Sequence, residues 1–379
     1  MRTYTGLVLA CSLVACGGFD RALSPGSQAP RRIFDAGTEP EPADAEVTDA
    51  GAEPADSGAS SPGPDAGPGV PADAGSVATD PADAGSPDAS ALSAPPAPAG
   101  PSLGGCPMFP DSNEWNRNVS GDPVDARSAD YLAFMAAGSL HLHPDFGAPE
   151  YGEPFVIVSG SQQRAPITFT WAGQSDPGPY PYPADLPIQA GADHHATVLD
   201  KDRCVIYETY MTARSGSGFS ADSGALFDLR SGAMRPDGWT SATASGLPIL
   251  PGLARYDEAV EQGEIRHALA FTAGGSAHFY VHPATHSSGT SDSSSAPPLG
   301  LRVRLRAGTD LSSLHGTSLV IARALQRYGM FLIDNANDSF WALAGAQDPR
   351  WPTQDLEQLK SVPASAFEVV QLGAVIRGQ

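Results

Sequence analysis

From about residue 154 onward, the apolar and polar residues of this chain follow the pattern of short β-strands. Apolar residues alternate with polar ones, or run together for about four to eight residues, as in half-buried or buried strands. Clusters of Gly, Pro, Asn, Asp and Ser separate these stretches and predict turns. We expect strands at residues 154–158, 167–171, 195–199, 203–210, 224–229, 264–272, 277–282, 301–306, 330–333, 340–343 and 366–372.

Helical periodicity is rarer. It predicts helices at Asp125–Met135, Thr317–Tyr328 and Gln354–Lys360, and Gly329 stands where a left-handed C-cap is expected. Many short strands with few helices favour an antiparallel arrangement, because parallel strands need repeated crossover helices. We therefore predict a mainly β domain over residues 103–379, an antiparallel sandwich or jelly-roll-like domain with a few peripheral helices.

The first fifteen residues have the features of an export signal. A basic start precedes a short apolar run, and Leu13-Val14-Ala15-Cys16 resembles the lipobox of bacterial lipoproteins. This resemblance implies removal of residues 1–15, acylation of Cys16, and anchoring to membrane lipid in the cell envelope, at the outer membrane or cell surface. The alternative is an ordinary secretory signal with a chance cysteine.

Residues 16–102 have the composition of a tether. They consist almost entirely of Ala, Pro, Gly, Ser, Asp and Glu, and Asp-Ala-Gly recurs at irregular spacing. Such a segment cannot bury enough apolar surface to offset its ordering entropy, so we expect it to be disordered and extended.

The formal net charge of the chain is −21. Both the tether and the domain contribute to it, and this disfavours nucleic acid and anionic lipid surfaces as partners.

Cysteine content suggests one disulfide. Cys11 is lost with the signal and Cys16 is acylated, which leaves Cys106 and Cys204. Two cysteines in an exported domain most often pair, and this bridge would close a loop of about 100 residues. Two free thiols or a metal pair are the alternatives.

Several segments of the domain resemble a recurring group of large secreted bacterial proteins. The resemblance implies export and one structural unit over most of residues 106–370, and no activity accompanies it. Its residues are Phe109-Pro110-Asp111, Trp115-Asn116, Ser175-Asp176-Pro177-Gly178-Pro179-Tyr180, Gly238-Trp239-Thr240-Ser241, Gly246 to Leu253, Arg255-Tyr256-Asp257-Glu258, Ile265 to Leu269, Tyr328-Gly329-Met330 and Asp334-Asn335.

Strong signatures of metal and nucleotide chemistry are missing from the sequence. There is no HExxH, P-loop, GxSxG, CxxC or dinucleotide-binding glycine pattern. His141-Leu142-His143 has a spacing that some metal sites use, but a solvent-exposed pair is the more typical interpretation. We predict no metal and no cofactor.

Candidate acid–base chemistry starts at His195. A two-residue turn at Lys201-Asp202 would place His195 directly across a hairpin from Glu208, where the carboxylate could orient the imidazole. His195 would then be the proton acceptor, and His267 or Asp228 the second acid–base group. A structural cross-strand pair, and for His267 a satisfied core histidine, are the alternatives.

Candidate binding residues alternate along two later strands. Arg302 and Arg304 could neutralise uronate carboxyl groups, or form a solvated face, while Tyr280 and Trp239 could contact sugar rings. Further aromatic candidates for stacking are Trp171, Tyr180 and Tyr182.

Three hypotheses follow. The first is a surface-tethered enzyme, a lyase or glycoside hydrolase, that acts on an extracellular polysaccharide. The second is a non-catalytic module that binds a glycan or a surface protein. The third is a structural envelope protein without a ligand. The enzyme hypothesis depends on the candidate acid–base side chains meeting in one cleft.

Overall fold

The strands of the domain form several separate sheets. The computed structural model describes residues 100–144, 146, 151–336 and 340–378, which all belong to the unit Pro87–Gln379. The signal segment, Cys16 and residues 17–99 lie outside the described residues. The strands are β1 Ser102–Leu103, β2 Cys106–Pro107, β3 Leu142–His143, β4 Phe155–Val158, β5 Ile167–Phe169, β6 Ala196–Asp200, β7 Val205–Tyr210, β8 Ala213–Ser215, β9 Gly218–Ala221, β10 Ser223–Asp228, β11 Leu269–Gly274, β12 Phe279–Val281, β13 Arg302–Leu305, β14 Met330–Ala336, β15 Trp341–Leu343, β16 Phe367–Val369 and β17 Val375–Arg377.

The helices are short. Gly329, with a φ of 69°, follows the longest of them as the expected left-handed residue. None of the helices within the described ranges is long and apolar enough to cross a membrane. The helices are α1 Ser128–Phe134, α2 Gly316–Arg327 and α3 Thr353–Leu356, with 3₁₀ turns at Glu114–Asn116, Ala172–Gln174, Leu250–Gly252, Glu357–Ser361 and Ala364–Ala366 and a π-helical turn at Asp257–Gln262.

The predicted mainly β fold is confirmed, and its sheets are mixed. The six-stranded sheet has the order β16-β13-β14-β11-β15-β3, and the four-stranded sheet has the order β10-β7-β6-β4. Parallel pairs such as β11 with β14 and β4 with β6 stand beside antiparallel ones. The crossover that precedes β14 contains α2, which explains how a chain with so few helices still makes a parallel pair.

The four-stranded sheet is buried on both faces. Leu199 of β6 and Ile206 of β7 belong to the large core cluster shared with the six-stranded sheet. Val198 and Tyr207, their neighbours along the strands, belong to a second cluster on the opposite face. This explains why all five residues of β6 are buried.

The hairpin of β6 and β7 has a different register from the predicted one. Thr197 lies opposite Glu208 and Asp200 opposite Val205, so the prediction that His195 lies directly across from Glu208 is wrong. The turn contains four residues, 201–204, which shifts every cross-strand pair by two positions.

Local hydrogen bonds account for the longer turn. The Asp200 carboxylate accepts from the backbone N–H groups of Asp202 at 3.2 Å and Arg203 at 3.1 Å. It also accepts from the Arg203 guanidinium at 2.7 Å. Cys204 then takes a φ of 54°, which turns the chain back into β7. Aspartate commonly folds a loop around its own carboxylate in this way.

The predicted disulfide is confirmed. Cys106 and Cys204 are joined, 98 residues apart in sequence. The bridge ties β2, near the beginning of the described domain, to the turn between β6 and β7.

Candidate functional site

His195 makes an ion pair with a carboxylate that the sequence analysis missed. Its Nδ1 donates to both carboxylate oxygens of Glu153, at 3.0 and 3.1 Å, and the Gln189 amide donates to the same carboxylate at 3.0 Å. Burial alone would lower the pKa of His195, but the charge and hydrogen bond of Glu153, with Asp193 and Asp334, raise it to about 9. A raised pKa favours the protonated imidazole at neutral pH, which argues against the expected role of His195 as proton acceptor.

The parallel pairing of β4 with β6 brings this pair together. Phe155 lies opposite Thr197 in that register. Glu153 precedes Phe155 by two residues, as His195 precedes Thr197, so the two side chains lie side by side and point the same way. Polar residues just before each of two parallel strands, Glu153 before β4 and His195 before β6, were the signal that could have revealed the contact.

The Glu208 carboxylate binds backbone amides and makes no hydrogen bond to His195. Its two carboxylate oxygens accept from the N–H groups of Ile249 and Leu250, each at 2.8 Å. Burial raises the pKa of Glu208 to about 7, although these two amides and the charge of His195 oppose the rise. The expected role of Glu208 in orienting the histidine is replaced by capping of a 3₁₀ turn.

His267 and Asp228 lie elsewhere. His267 is fully buried, with Nε2 2.9 Å from Glu258 and Nδ1 2.8 Å from the carbonyl oxygen of Ala268. Glu258 also pairs with Arg255 at 2.7 Å. Burial would raise the pKa of Glu258, but the charges of these two partners lower it. Asp228 is exposed and accepts from a backbone amide two residues further along the chain. The predicted acid–base residues therefore do not converge.

A groove of about 320 Å³ lies on another part of the domain. Strands β13 and β14, the segments that follow β12 and β16, and the 3₁₀ turn at Glu114–Asn116 build it. Its walls combine apolar side chains with a few charged ones. The lining residues are Glu114, Arg117, Val281, His282, Pro283, Gly300, Arg302, Phe331, Val370, Gln371, Leu372 and Gly373.

Arg302, one of the predicted binding residues, is buried in the wall of this groove. Its guanidinium donates to the carbonyl oxygens of Tyr328 at 2.7 Å, Glu114 at 2.8 Å and Arg117 at 2.8 Å. Its carbon atom lies 4.8 Å from the ring centroid of Phe331. Burial, with the charge of Arg117, lowers the pKa of Arg302 to about 9, against the opposing charge of Glu114.

Tyr280 and Trp239, two of the predicted binding residues, do not belong to the lining of the groove. His282, a lining residue, donates from Nε2 to Asp237 at 2.8 Å, and both side chains are exposed. The ring centroids of Tyr280 and His282 are 6.2 Å apart. Burial raises the pKa of Tyr280, and the charge and hydrogen bond of Asp237 raise it further. Trp239 follows Asp237 by two residues and lies under the guanidinium of Arg235 at 5.2 Å.

The remaining binding candidates are engaged inside the protein. Arg304 donates to Glu368 at 2.8 Å and to the carbonyl oxygen of Val119, so it ties two segments together. Tyr180 and Tyr182 are almost completely buried and cannot form a stacking surface. Trp171 is half-buried and stacks on Tyr210, with ring centroids 6.1 Å apart.

No protein-family model, curated protein or solved structure matches this chain. The resemblances to lipoproteins and to a group of secreted proteins therefore stay predictions. Across the described part of the chain, no cluster of three or more His, Cys, Asp or Glu residues is arranged to hold a metal ion.

Proposed function

We propose that this protein is a glycan-binding module tethered to the cell envelope, with the Arg302 groove as its binding site. The observation that carries the proposal is a buried guanidinium and an exposed imidazole, His282, in the wall of one open groove of about 320 Å³. This volume lies in the range of about 300–1,000 Å³ that is typical of sites for small ligands. Cys16 would supply the lipid anchor, and residues 17–102 the tether.

The chemistry of the groove suits a sugar polymer. Sugars present hydroxyl groups, which need fixed polar partners, and C–H faces, which pack against apolar surfaces. Arg302 and His282 supply polar partners, while Val281, Phe331 and Leu372 supply apolar wall. An open groove also admits a residue in the middle of a chain, as a polysaccharide requires.

Binding is favoured over catalysis because the predicted acid–base residues are dispersed. The two pairs of a predicted acid–base histidine with a carboxylate, His195–Glu153 and His267–Glu258, have side chains that are at most 13% exposed. Neither pair belongs to the groove lining. The groove therefore supports a binding module better than a lyase or a hydrolase.

A glycan array probed with the full-length chain in detergent tests the proposal. We expect binding to at least one polysaccharide, and about tenfold weaker binding for His282→Ala, the change expected from losing one good hydrogen bond. His315→Ala is the matched control, because His315 is exposed and lies outside the groove. An array without any bound glycan, or equal losses in the two variants, contradicts the proposal.

The anchor is tested separately. Cys16→Ser removes the acylated thiol, so we expect the protein to move from the membrane fraction to the soluble fraction and to lose acyl labelling. Unchanged fractionation would show that Cys16 is not the anchor.

A further inference from the structure

We infer that the groove recognises a carboxylate, so that its ligand is an acidic polysaccharide containing uronic acids or similarly carboxylated sugars. This inference rests on the proposed glycan-binding function and names its ligand class. Arg302 is the recognising residue.

The hydrogen bonds of Arg302 leave donors for a ligand. A guanidinium has five N–H groups, and the structure gives three of them to the carbonyl oxygens of Tyr328, Glu114 and Arg117. Within the described residues, the other two N–H groups have no hydrogen-bond acceptor. Three neutral acceptors fix the position of the guanidinium but do not neutralise its charge.

The nearest carboxylate makes an ion pair with Arg302 but no hydrogen bond. Glu114 Oε2 lies 3.7 Å from Arg302, beyond hydrogen-bond distance, and its side chain is 48% exposed. The same oxygen already accepts from Arg117 Nε at 2.7 Å. Arg302 is thus a buried cation without a tightly bound anion, an arrangement that is costly for the free protein. A ligand carboxylate could accept the two remaining N–H groups in charge-assisted hydrogen bonds.

The charges around Arg302 are balanced overall, and Glu114 is the nearby carboxylate that would repel an incoming anion. The charged groups that act on it are Arg117, Glu114 and Asp122. Arg117 pairs with both of these carboxylates, so the four groups together carry no net charge. The groove is therefore an electrically balanced region of a chain whose net charge is −21.

The guanidinium is also pre-oriented. The Phe331 ring lies 4.8 Å from it, and the three carbonyl bonds hold its plane. A planar group fixed in this way can bind the two oxygens of a carboxylate side by side, and little ordering is needed on binding.

Two forms of one polymer test the inference. The full-length protein in detergent is titrated with polygalacturonate and with the same polymer after full methyl esterification, which leaves the sugar backbone intact and removes the charge. We expect affinity for the ester to be at least about tenfold lower. Dextran sulfate serves as the polyanion control and should bind more weakly than polygalacturonate.

Glu114→Gln links the effect to the groove without removing Arg302, which the fold itself uses. Removing this rim carboxylate should strengthen binding of polygalacturonate about threefold or more and leave binding of the ester unchanged. Glu357→Gln is the matched control, because Glu357 is exposed, pairs with a cation three residues away as Glu114 does, and lies outside the groove.

The outcomes separate the two proposals. Equal affinity for polygalacturonate and its ester overturns the carboxylate inference while glycan binding stands. Tighter binding of dextran sulfate, or equal shifts for Glu114→Gln and Glu357→Gln, also overturns it. Failure to bind any polysaccharide on the array overturns the proposed function itself.

Discussion

His195 and Arg302 are both cations held inside the protein, and the fold treats them differently. Glu153 lies 3.0 Å from His195 and neutralises it. Arg302 has neutral carbonyl oxygens at hydrogen-bond distance and its nearest carboxylate oxygen at 3.7 Å. The hydrogen bond of His195 to a carboxylate leaves its charge satisfied, whereas Arg302 keeps N–H groups that a ligand could accept. This difference is the reason why we propose Arg302 as the binding residue.

Glu153→Gln should favour the uncharged form of the His195 imidazole. Without the carboxylate, burial is left to lower the pKa of the imidazole, so its titration midpoint should fall well below 9. The free energy of unfolding at neutral pH should decrease by about 1 to 3 kcal/mol, since a buried hydrogen-bonded partner is lost. NMR titration of the His195 ring and urea denaturation measure the two effects.

Glu357→Gln is again the control, because Glu357 is exposed and far from His195 in the sequence. A midpoint that remains near 9 in Glu153→Gln would show that another carboxylate holds the charge. Asp193 and Asp334 are the other groups that raise this pKa.

At the scale of the elements, a helix that depends on local signals was predictable from the sequence, whereas the pairing of distant strands was not. The apolar face of residues 317–328 and the glycine that follows predicted α2, which is observed at Gly316–Arg327. Both signals lie within a few residues, so tertiary contacts do not have to be known. The pairing of Glu153 with His195 depends on β4 lying parallel to β6, 42 residues away in sequence. No local pattern encodes such a register.

The hairpin between β6 and β7 shows the same limit at a single turn. Its strands were predicted almost at their observed bounds, but its register depends on how the Asp200 carboxylate folds the turn.

The residues that line the groove could not be brought together from the sequence either. Arg302 was a candidate, whereas Glu114 and Arg117 come from a 3₁₀ turn almost 190 residues earlier in the chain.

The disulfide should be the strongest single constraint on the elements that it joins. Replacing Cys106 and Cys204 together by Ser releases a loop closed over 98 residues. The chain-entropy relation then gives a loss of about 4 to 5 kcal/mol in the free energy of unfolding. Guanidinium denaturation of the double variant and the oxidised parent measures it.

Reductant provides the internal control for that experiment. Dithiothreitol should lower the denaturation midpoint of the parent and leave that of the double variant unchanged. A loss below about 1 kcal/mol would mean that the unfolded chain keeps the two segments together without the bridge.

At the scale of the whole molecule, the buried groups predict that stability declines from mildly acidic to alkaline pH. The pKa of His195 is 6.5 when unfolded and about 9 when folded. Its contribution is therefore fully present below pH 6.5 and is lost as the pH rises through 9. The pKa of Glu208 is 4.5 when unfolded and about 7 when folded. As the pH rises between these values, the unfolded chain ionises first, and the folded state loses stability.

Carboxylates whose pKa is lowered in the folded state affect stability at acidic pH. Glu258 and Asp200 are such groups. Their stabilisation is present above their unfolded pKa and is lost as the pH falls through the folded value. Burial lowers the pKa of His286, so this residue adds a loss of stability as the pH falls below 6.5. Together, these shifts predict that stability is greatest between about pH 5 and 6.5.

Thermal unfolding between pH 3 and 10 tests this profile. Two variants show which residue causes each part of the decline in stability at higher pH. Glu208→Gln should remove the slope between about pH 4.5 and 7, and Glu153→Gln the slope between about pH 6.5 and 9. Repeating the series in about 1 M NaCl screens the repulsion expected from a net charge of −21 but hardly affects buried pairs. A parent profile that is flat from pH 5 to 9 at high salt would show that the charge of the surface, and not these two buried groups, governs how stability depends on pH.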